Sequence, residues 1–249
     1  MEKNEEEGTA ICSQHDRRVF RISDNLVLKK GSCLRFSEVT NLRFVAENTT
    51  IPVPKVHDVQ WENGKLTGIT MNYMSGTQLE KAWETLSSEQ KDSIVEQLQG
   101  YFAQLRNLKG TYIGGADGQI AVAGNMFHFE GGPFESDRLF NQWLLEDVDK
   151  RVRSVYRYYA EHALTDDHEI NFSHGDVARR NILVDENGRI TAILDWELGG
   201  WYPEYWESVR AHVTCDPLPE WHDYLARVFP PQYEKEFLGQ FWLSKLSGN

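Results

Sequence analysis

Hydrophobic positions repeat with two different periods along this chain, and the change falls about a third of the way in. Val19-Phe-Arg-Ile22 and Leu26-Val-Leu-Lys29 are short runs of β-forming residues, and Ser23-Asp24-Asn25 between them predicts a hairpin. From Ser37 the apolar residues Val39, Leu42, Phe44 and Val45 take helical spacing, with Ser37 as the N-terminal cap. Ile51-Pro-Val-Pro54 stops this helix, because proline disfavours helical backbone in the residue before it. Val56 to Trp61 and Leu66 to Met74 flank Glu62-Asn63-Gly64 and predict a second hairpin. Beyond Gly76 the period lengthens. Ser87 to Leu108 places Ile94, Val95, Leu98, Phe102 and Leu105 on one helical face, and Ser87-Ser-Glu-Gln90 fits its cap. The Gly-rich stretch Gly110–Pro133 reads as a long loop, and such loops inside a compact domain usually carry function. Ser136 to Ala160 predicts a second long helix, and 204–228 and 232–246 are helical as well. The result is an α+β, bilobal expectation: a charged disordered tail over 1–16, a β-rich small lobe with one helix over 17–75, and a helical large lobe over 76–249.

Composition changes this picture only in part. The chain of 249 residues, 40% hydrophobic and 26% charged, can bury a substantial core. Met1-Glu-Lys-Asn-Glu-Glu-Glu lacks the apolar core of a signal peptide, and no apolar run is long enough for a bilayer. The expectation is a cytoplasmic protein with no membrane partner. Cys12, Cys33 and Cys215 lack metal-type spacing and read as reduced thiols. A net charge of −12 opposes nucleic acid as a partner. Residues 1–75 hold ten basic and ten acidic side chains, so the rest carries 16 and 28 and the whole acidic excess. Such an excess more often serves solubility than it lines an acidic substrate pocket.

The chemistry concentrates in Phe172-Ser-His-Gly-Asp-Val-Ala-Arg-Arg-Asn-Ile-Leu-Val-Asp185 and Ile190-Thr-Ala-Ile-Leu-Asp-Trp-Glu197. Ile182–Val184, the turn Glu186-Asn187-Gly188 and Ile190–Leu194 predict a hairpin that brings Asn181 and Asp195 to one end. Two oxygen-bearing side chains there suit a hard cation such as Mg²⁺, completed by phosphates and water. Asp176 stands where a carboxylate would orient an attacking hydroxyl, the one protein group that phosphoryl transfer needs besides charge neutralisation and alignment. A lone H-G-D is a weak signal. H-G-D-x-x-x-x-N followed by strand, turn, strand and I-L-D is a strong one, because spacing and local structure agree.

On these motifs the sequence resembles the aminoglycoside phosphotransferase and choline kinase superfamily, itself similar to protein kinases. It is most similar to the branch common in filamentous fungi, through H-G-D-x-x-x-R-N-I-L-V and Ile193-Leu-Asp-Trp-Glu-Leu-Gly-Gly-Trp-Tyr-Pro-Glu-Tyr-Trp-Glu207. The resemblance runs from about Val19 to the C-terminus. It implies a kinase-like fold and transfer of the ATP γ-phosphate to a hydroxyl of a small-molecule acceptor. By that likeness Asp176 is the catalytic base and Asn181 and Asp195 hold magnesium. An apolar residue over the adenine and a lysine on the phosphates, two positions apart on one strand face, become Val27 and Lys29, with Glu38 as the lysine's partner. The backbone of Tyr73 and Met74, where the two textures meet, becomes the hinge that bonds the adenine edge.

Other residues are weighed on the same page. His174 reads as a structural group bonding the loop that carries Asp176, not as a base or zinc ligand. The aromatic cluster after Asp195 is ordinary core material. It also lies where relatives bind their acceptor, which makes Glu197, Trp201 and Trp206 candidate substrate contacts. The sequence lacks a G-x-G-x-x-G loop, and the usual first strands are missing or replaced by Ser23-Asp24-Asn25. Poor cover of the phosphates and some ATP hydrolysis are expected from this. A nucleotide-binding scaffold without turnover and a protein serine kinase are the alternative functions. The second is disfavoured because Asp195 is followed by Trp-Glu and no D-F-G or A-P-E segment exists.

Overall fold

The computed structural model describes residues 8–14, 16–123, 130–146, 153–213 and 216–246. The N-terminal part is a five-stranded antiparallel sheet of β1 (Thr9–Gln14), β2 (Arg17–Arg21), β3 (Leu26–Lys30), β4 (Val56–Glu62) and β5 (Lys65–Asn72) in the order β1-β2-β3-β5-β4. Asn63 and Gly64 take positive φ, as a tight β4–β5 hairpin demands. The tail expectation is corrected here: Thr9–Gln14 pairs with β2, and residues 1–7 and 15 lie outside the described residues. The first strands are therefore present. They escaped the sequence reading because Thr-Ala-Ile-Cys-Ser-Gln is short and mixed in polarity.

Helix α1 (Phe36–Asn48) follows β3 and packs Val39, Leu42 and Val45 inward. It begins at Phe36, one residue before the expected cap, and its N-cap is Arg35, two residues before it, with no side-chain cap bond. Ser37 donates instead to Glu197 O at 3.0 Å, on the far side of the cleft. A tertiary bond has displaced the local one.

Past β5 come β6 (Thr77–Gln78), α2 (Leu79–Ala82) and the long α3 (Ser88–Asn107), which opens on a full capping box between Ser87 and Gln90. The stretch read as loop is braced by β7 (Lys109–Gly110), β8 (Ala121–Val122) and β9 (Glu130–Gly131), with 124–129 outside the described residues. In place of one helix over 136–160 stand α4 (Asp137–Glu146) and α5 (Ser154–Ala163); Arg153, at ψ 134, is extended and cannot continue a helix. The H-G-D and I-L-D segments lie among β10 (Ile170–Ser173), β11 (Ile182–Val184), β12 (Ile190–Ile193) and β13 (Gly200–Pro203). Helices α6 (Trp206–Val213), α7 (Pro219–Val228) and α8 (Glu234–Leu246) finish the chain, α7 starting afresh on Pro219 at its first turn.

Two apolar cores result. One runs from Val27, Ile69 and Met71 of the sheet through α1 and α3 to the β11–β12 hairpin and Trp221, tying both lobes together. The other gathers Phe140, Ala160, Tyr202, Tyr205, Trp206 and Leu243 in the helical part. Among the described residues no helix is long and apolar enough to cross a membrane.

Candidate active site

Strand β3 carries Lys29 into the space beneath the sheet, where α1 presents Glu38. Lys29 Nζ donates to both Glu38 oxygens, at 2.8 and 2.7 Å, and to Asp195 Oδ1 at 3.0 Å. Burial pulls the Lys29 pKa down, but the Glu38 and Asp195 charges outweigh it and raise it above the usual lysine value. Burial alone would push the Asp195 carboxyl up; Lys29 and, less strongly, Arg17 hold it below the usual aspartate range. Lysine and carboxylate are thus both charged, across the two lobes.

Asp195 sits at φ 65 and ψ 61, a left-handed conformation uncommon for a residue with a side chain. Such strain persists where its surroundings over-determine it. Here Ile182 pairs with Ile193, Leu194 N–H donates to Asn181 O at 2.8 Å, and Ile193 N–H donates to Pro52 O at 2.8 Å. The hairpin thereby brings Asn181 and Asp195 to the same end. On the other side Asn41 of α1, wholly buried, donates from Nδ2 to Trp196 O and Gly199 O, both at 2.8 Å.

Asp176 lies on the loop after β10. Its carboxylate accepts from Arg180 Nη2 at 2.8 and 2.6 Å and from Asn181 Nδ2 at 2.9 Å. His174 takes the structural part: Nδ1 accepts from Asp176 N–H at 3.1 Å and Nε2 faces Leu194 O at 2.9 Å, which selects the neutral Nε2–H tautomer. Gly175 has φ 80, and a Cβ there would sit 2.7 Å from Leu198 O, so this position of the motif admits only glycine without strain. Beneath the loop, Glu207 accepts the N–H of Gly175 at 3.0 Å and that of His174 at closer range.

The remaining sequence candidates fall into three groups. Val27 is buried in the first core, on the strand that carries Lys29. Tyr73 N–H donates to Asn25 O at 2.8 Å, closing the end of the sheet, so of the Tyr73 backbone only the carbonyl is left for an adenine edge; Met74 follows, half-buried. Glu197 does not face an open acceptor space, because Arg17 Nη1 binds one oxygen at 2.7 Å and Arg35 Nη1 the other at 3.3 Å. Trp201 and Trp206 lie in the core, the first of the two readings of the aromatic cluster: Trp201 packs edge-on against Phe172 and Phe44, and Trp206 stacks on Tyr202 and is 1% exposed. Bulky rings next to a β-strand and a helix start bury more apolar area inside than a wet acceptor site offers.

Asn41, Glu207 and Arg17 were missed. Asn41 had a signal, since it shares a helical stripe with Glu38 and Val45, and a polar residue in an apolar stripe is often a buried hydrogen-bonding one. Glu207 closes the Ile193–Glu207 motif, which was its signal; Arg17 had none beyond its residue type.

The donor set fits magnesium. Asn181 spends its amide nitrogen on Asp176, which leaves the amide oxygen, and Asp195 gives Lys29 only one of its carboxylate oxygens. Two hard oxygens at one hairpin end match that cation's preference. Among the described residues no group of three or more His, Cys, Asp or Glu side chains could hold a metal ion.

A family model described as the phosphotransferase enzyme family matches residues 8–236. The chain belongs to the phosphotransferase enzyme family. No curated protein sequence matches this phosphotransferase. Its fold is shared with solved structures of aminoglycoside phosphotransferases. A thermostable mutant of APH(4)-Ia in its apo form aligns at TM-score 0.67 with 16% identity, over 96% of this chain and 84% of that one. The same parent protein, in ternary complex with ADP and hygromycin B, aligns at 0.67 with 16% identity, over 96% and 83%. APH(2")-IIia in its GDP and kanamycin complex aligns at 0.67 with 11% identity, over 96% and 84%. At these identities the likeness shows the phosphotransferase's α+β kinase-like fold and nothing of its acceptor.

Proposed function

We propose that this phosphotransferase moves the γ-phosphate of Mg-ATP onto a hydroxyl of a small molecule. One observation carries the reading: Lys29, held by Glu38 on the small lobe, meets Asp195 of the large lobe at 3.0 Å, across the cleft where a triphosphate would lie. Lys29 neutralises the α- and β-phosphates, Val27 covers the adenine, and the Tyr73–Met74 backbone borders its edge. Asn181 and Asp195 would hold Mg²⁺, which would neutralise charge on the phosphates.

Asp176 then orients the acceptor. A carboxylate offers about four lone-pair sites, and Arg180 and Asn181 occupy three of them. The site left over accepts the hydroxyl proton, and the two donors fix the carboxylate's plane so that the hydroxyl oxygen points at the γ-phosphorus. Solved structures of similar fold bind hygromycin B or kanamycin. Together with the acidic excess of the large lobe, this favours a cationic, amino-bearing alcohol, and the reaction fits the cytosol, where ATP and reduced thiols coexist.

The test is a thermal-shift titration with ATP, with and without Mg²⁺, on wild type and Asp195→Asn, followed by acceptor-dependent ADP release over a panel of hydroxylated amines. A ligand that binds only the folded state raises Tm by mass action. The expected result is a magnesium-dependent rise that Asp195→Asn abolishes, with turnover on at least one acceptor. Nucleotide binding with no turnover on any alcohol would return the chain to a scaffold role, and no shift at all would sink the kinase reading.

A further inference from the structure

Glycine-rich loops neutralise nucleotide phosphates with a cradle of backbone N–H groups. In this chain only His15 and Asp16 separate β1 from β2, too few for such a cradle. Asp16 is tied to the segment after β3, since Ser32 Oγ donates to Asp16 Oδ2 at 2.7 Å. The charge that a loop would supply must come from a side chain.

Arg17 is the first residue of β2 and occupies that place. Its Nη1 donates to Glu197 Oε1 at 2.7 Å and its Nη2 to Cys33 O at 3.1 Å, which stretches the guanidinium from the sheet toward the segment just after Asp195. The side chain is 23% exposed, so protein does not wholly enclose it. Arg35 binds the other oxygen of Glu197 but is also held by Glu130 at 2.8 Å. Among the described residues Arg17 has Glu197 as its one carboxylate partner, and it shares that carboxylate with a second cation. A guanidinium matches a phosphate in fork geometry and keeps its charge at any working pH.

We infer that Arg17, held in place by Glu197, is a phosphate-binding residue that substitutes for the missing glycine-rich loop and grips the terminal phosphate of the nucleotide. The inference rests on the nucleotide reading above. Glu197 is then a positioning residue: it keeps a long, flexible side chain extended over the cleft, so less freedom is lost when phosphate arrives. Each new charge-assisted hydrogen bond adds roughly 10- to 100-fold in affinity.

The experiment measures binding of adenosine, ADP and the non-hydrolysable ATP analogue AMP-PNP by calorimetry, with Mg²⁺, to wild type, Arg17→Gln, Arg17→Lys and Glu197→Gln. Arg17→Gln is expected to weaken AMP-PNP by about 10- to 100-fold, ADP less, and adenosine not at all. Arg17→Lys should recover part of the loss by keeping the charge, and Glu197→Gln should weaken AMP-PNP by a smaller factor with adenosine unchanged. If Arg17→Gln weakens all three ligands equally, the residue is merely structural and the inference is overturned. If AMP-PNP binding is unaffected while wild type binds it, the inference alone fails. Wild type that binds none of the three overturns the nucleotide reading and this inference with it.

Discussion

Asn41 is the side chain on which the alignment of the two lobes depends most directly, and its replacement gives a quantitative test. It is 0% exposed, and its Nδ2 serves the carbonyls of Trp196 and Gly199 while Oδ1 accepts from Ala116 N–H at 3.3 Å. Asn41→Ala takes the donor from the buried Gly199 carbonyl, while Trp196 O keeps the N–H of Gly199, so a loss of about 1–3 kcal/mol is expected. For a chain of this size that is a fall in Tm of roughly 2–12 °C. Asn41→Asp sharpens the test. It keeps the volume but aims a carboxylate at the same two carbonyls, and should cost more than the alanine. Urea denaturation followed by tryptophan fluorescence gives both values, provided the slope is unchanged. Because α1 also carries Glu38, Asn41→Ala should lower kcat by loosening Lys29 relative to Asp195. A loss below about 1 kcal/mol, or an aspartate no worse than the alanine, would refute the argument that donation from Nδ2 pins the Asp195 loop.

Two further outcomes follow from buried charge. Lys29→Met strands Glu38, which is 3% exposed, and breaking one side of a buried pair costs about 3–5 kcal/mol. Lys29→Met with Glu38→Leu should regain much of the Tm but none of the ATP-induced shift; recovery of the shift would remove Lys29 from the phosphate site. His168 Nδ1 lies 2.8 Å from Asp137 Oδ2, and although burial lowers its pKa, that partner outweighs burial and raises it. A folded pKa above the unfolded one means stability is fully present below about pH 6.5 and is lost as pH rises through the folded value. Tm scanned from acid to alkaline pH should fall across that window in wild type and stay flat in His168→Gln; parallel curves would count against the pair.

The local periodicities were legible because the core follows them. Ile94, Val95, Leu98, Phe102 and Leu105 share the face of α3 that is buried, and the Ser87 cap forms as its residue types require. The β11–β12 hairpin was readable for the same reason, and with it the meeting of Asn181 and Asp195, since a tight turn fixes register. Reading failed where tertiary bonds compete with local ones. Ser37 has the chemistry of a cap but bonds Glu197 O, and Trp206 has the chemistry of a stacking platform but finds Tyr202 and Phe140 first.

The partners that spacing did not reveal at the site have a common physical origin. Glu197 reads from its aromatic neighbours in sequence as a substrate contact or a support of its loop, whereas its partner Arg17 lies 180 positions away. A charged side chain is placed by whichever opposite charge the fold brings near it, and residue spacing carries no record of that partner. Motif residues escape this limit only when a hairpin or a strand face dictates their meeting, as with Asn181 and Asp195. The small lobe of this chain dispenses with the glycine-rich cradle, a feature that sequence can display. The guanidinium we infer in that place could be found only in the folded arrangement of Arg17, Glu197 and Arg35.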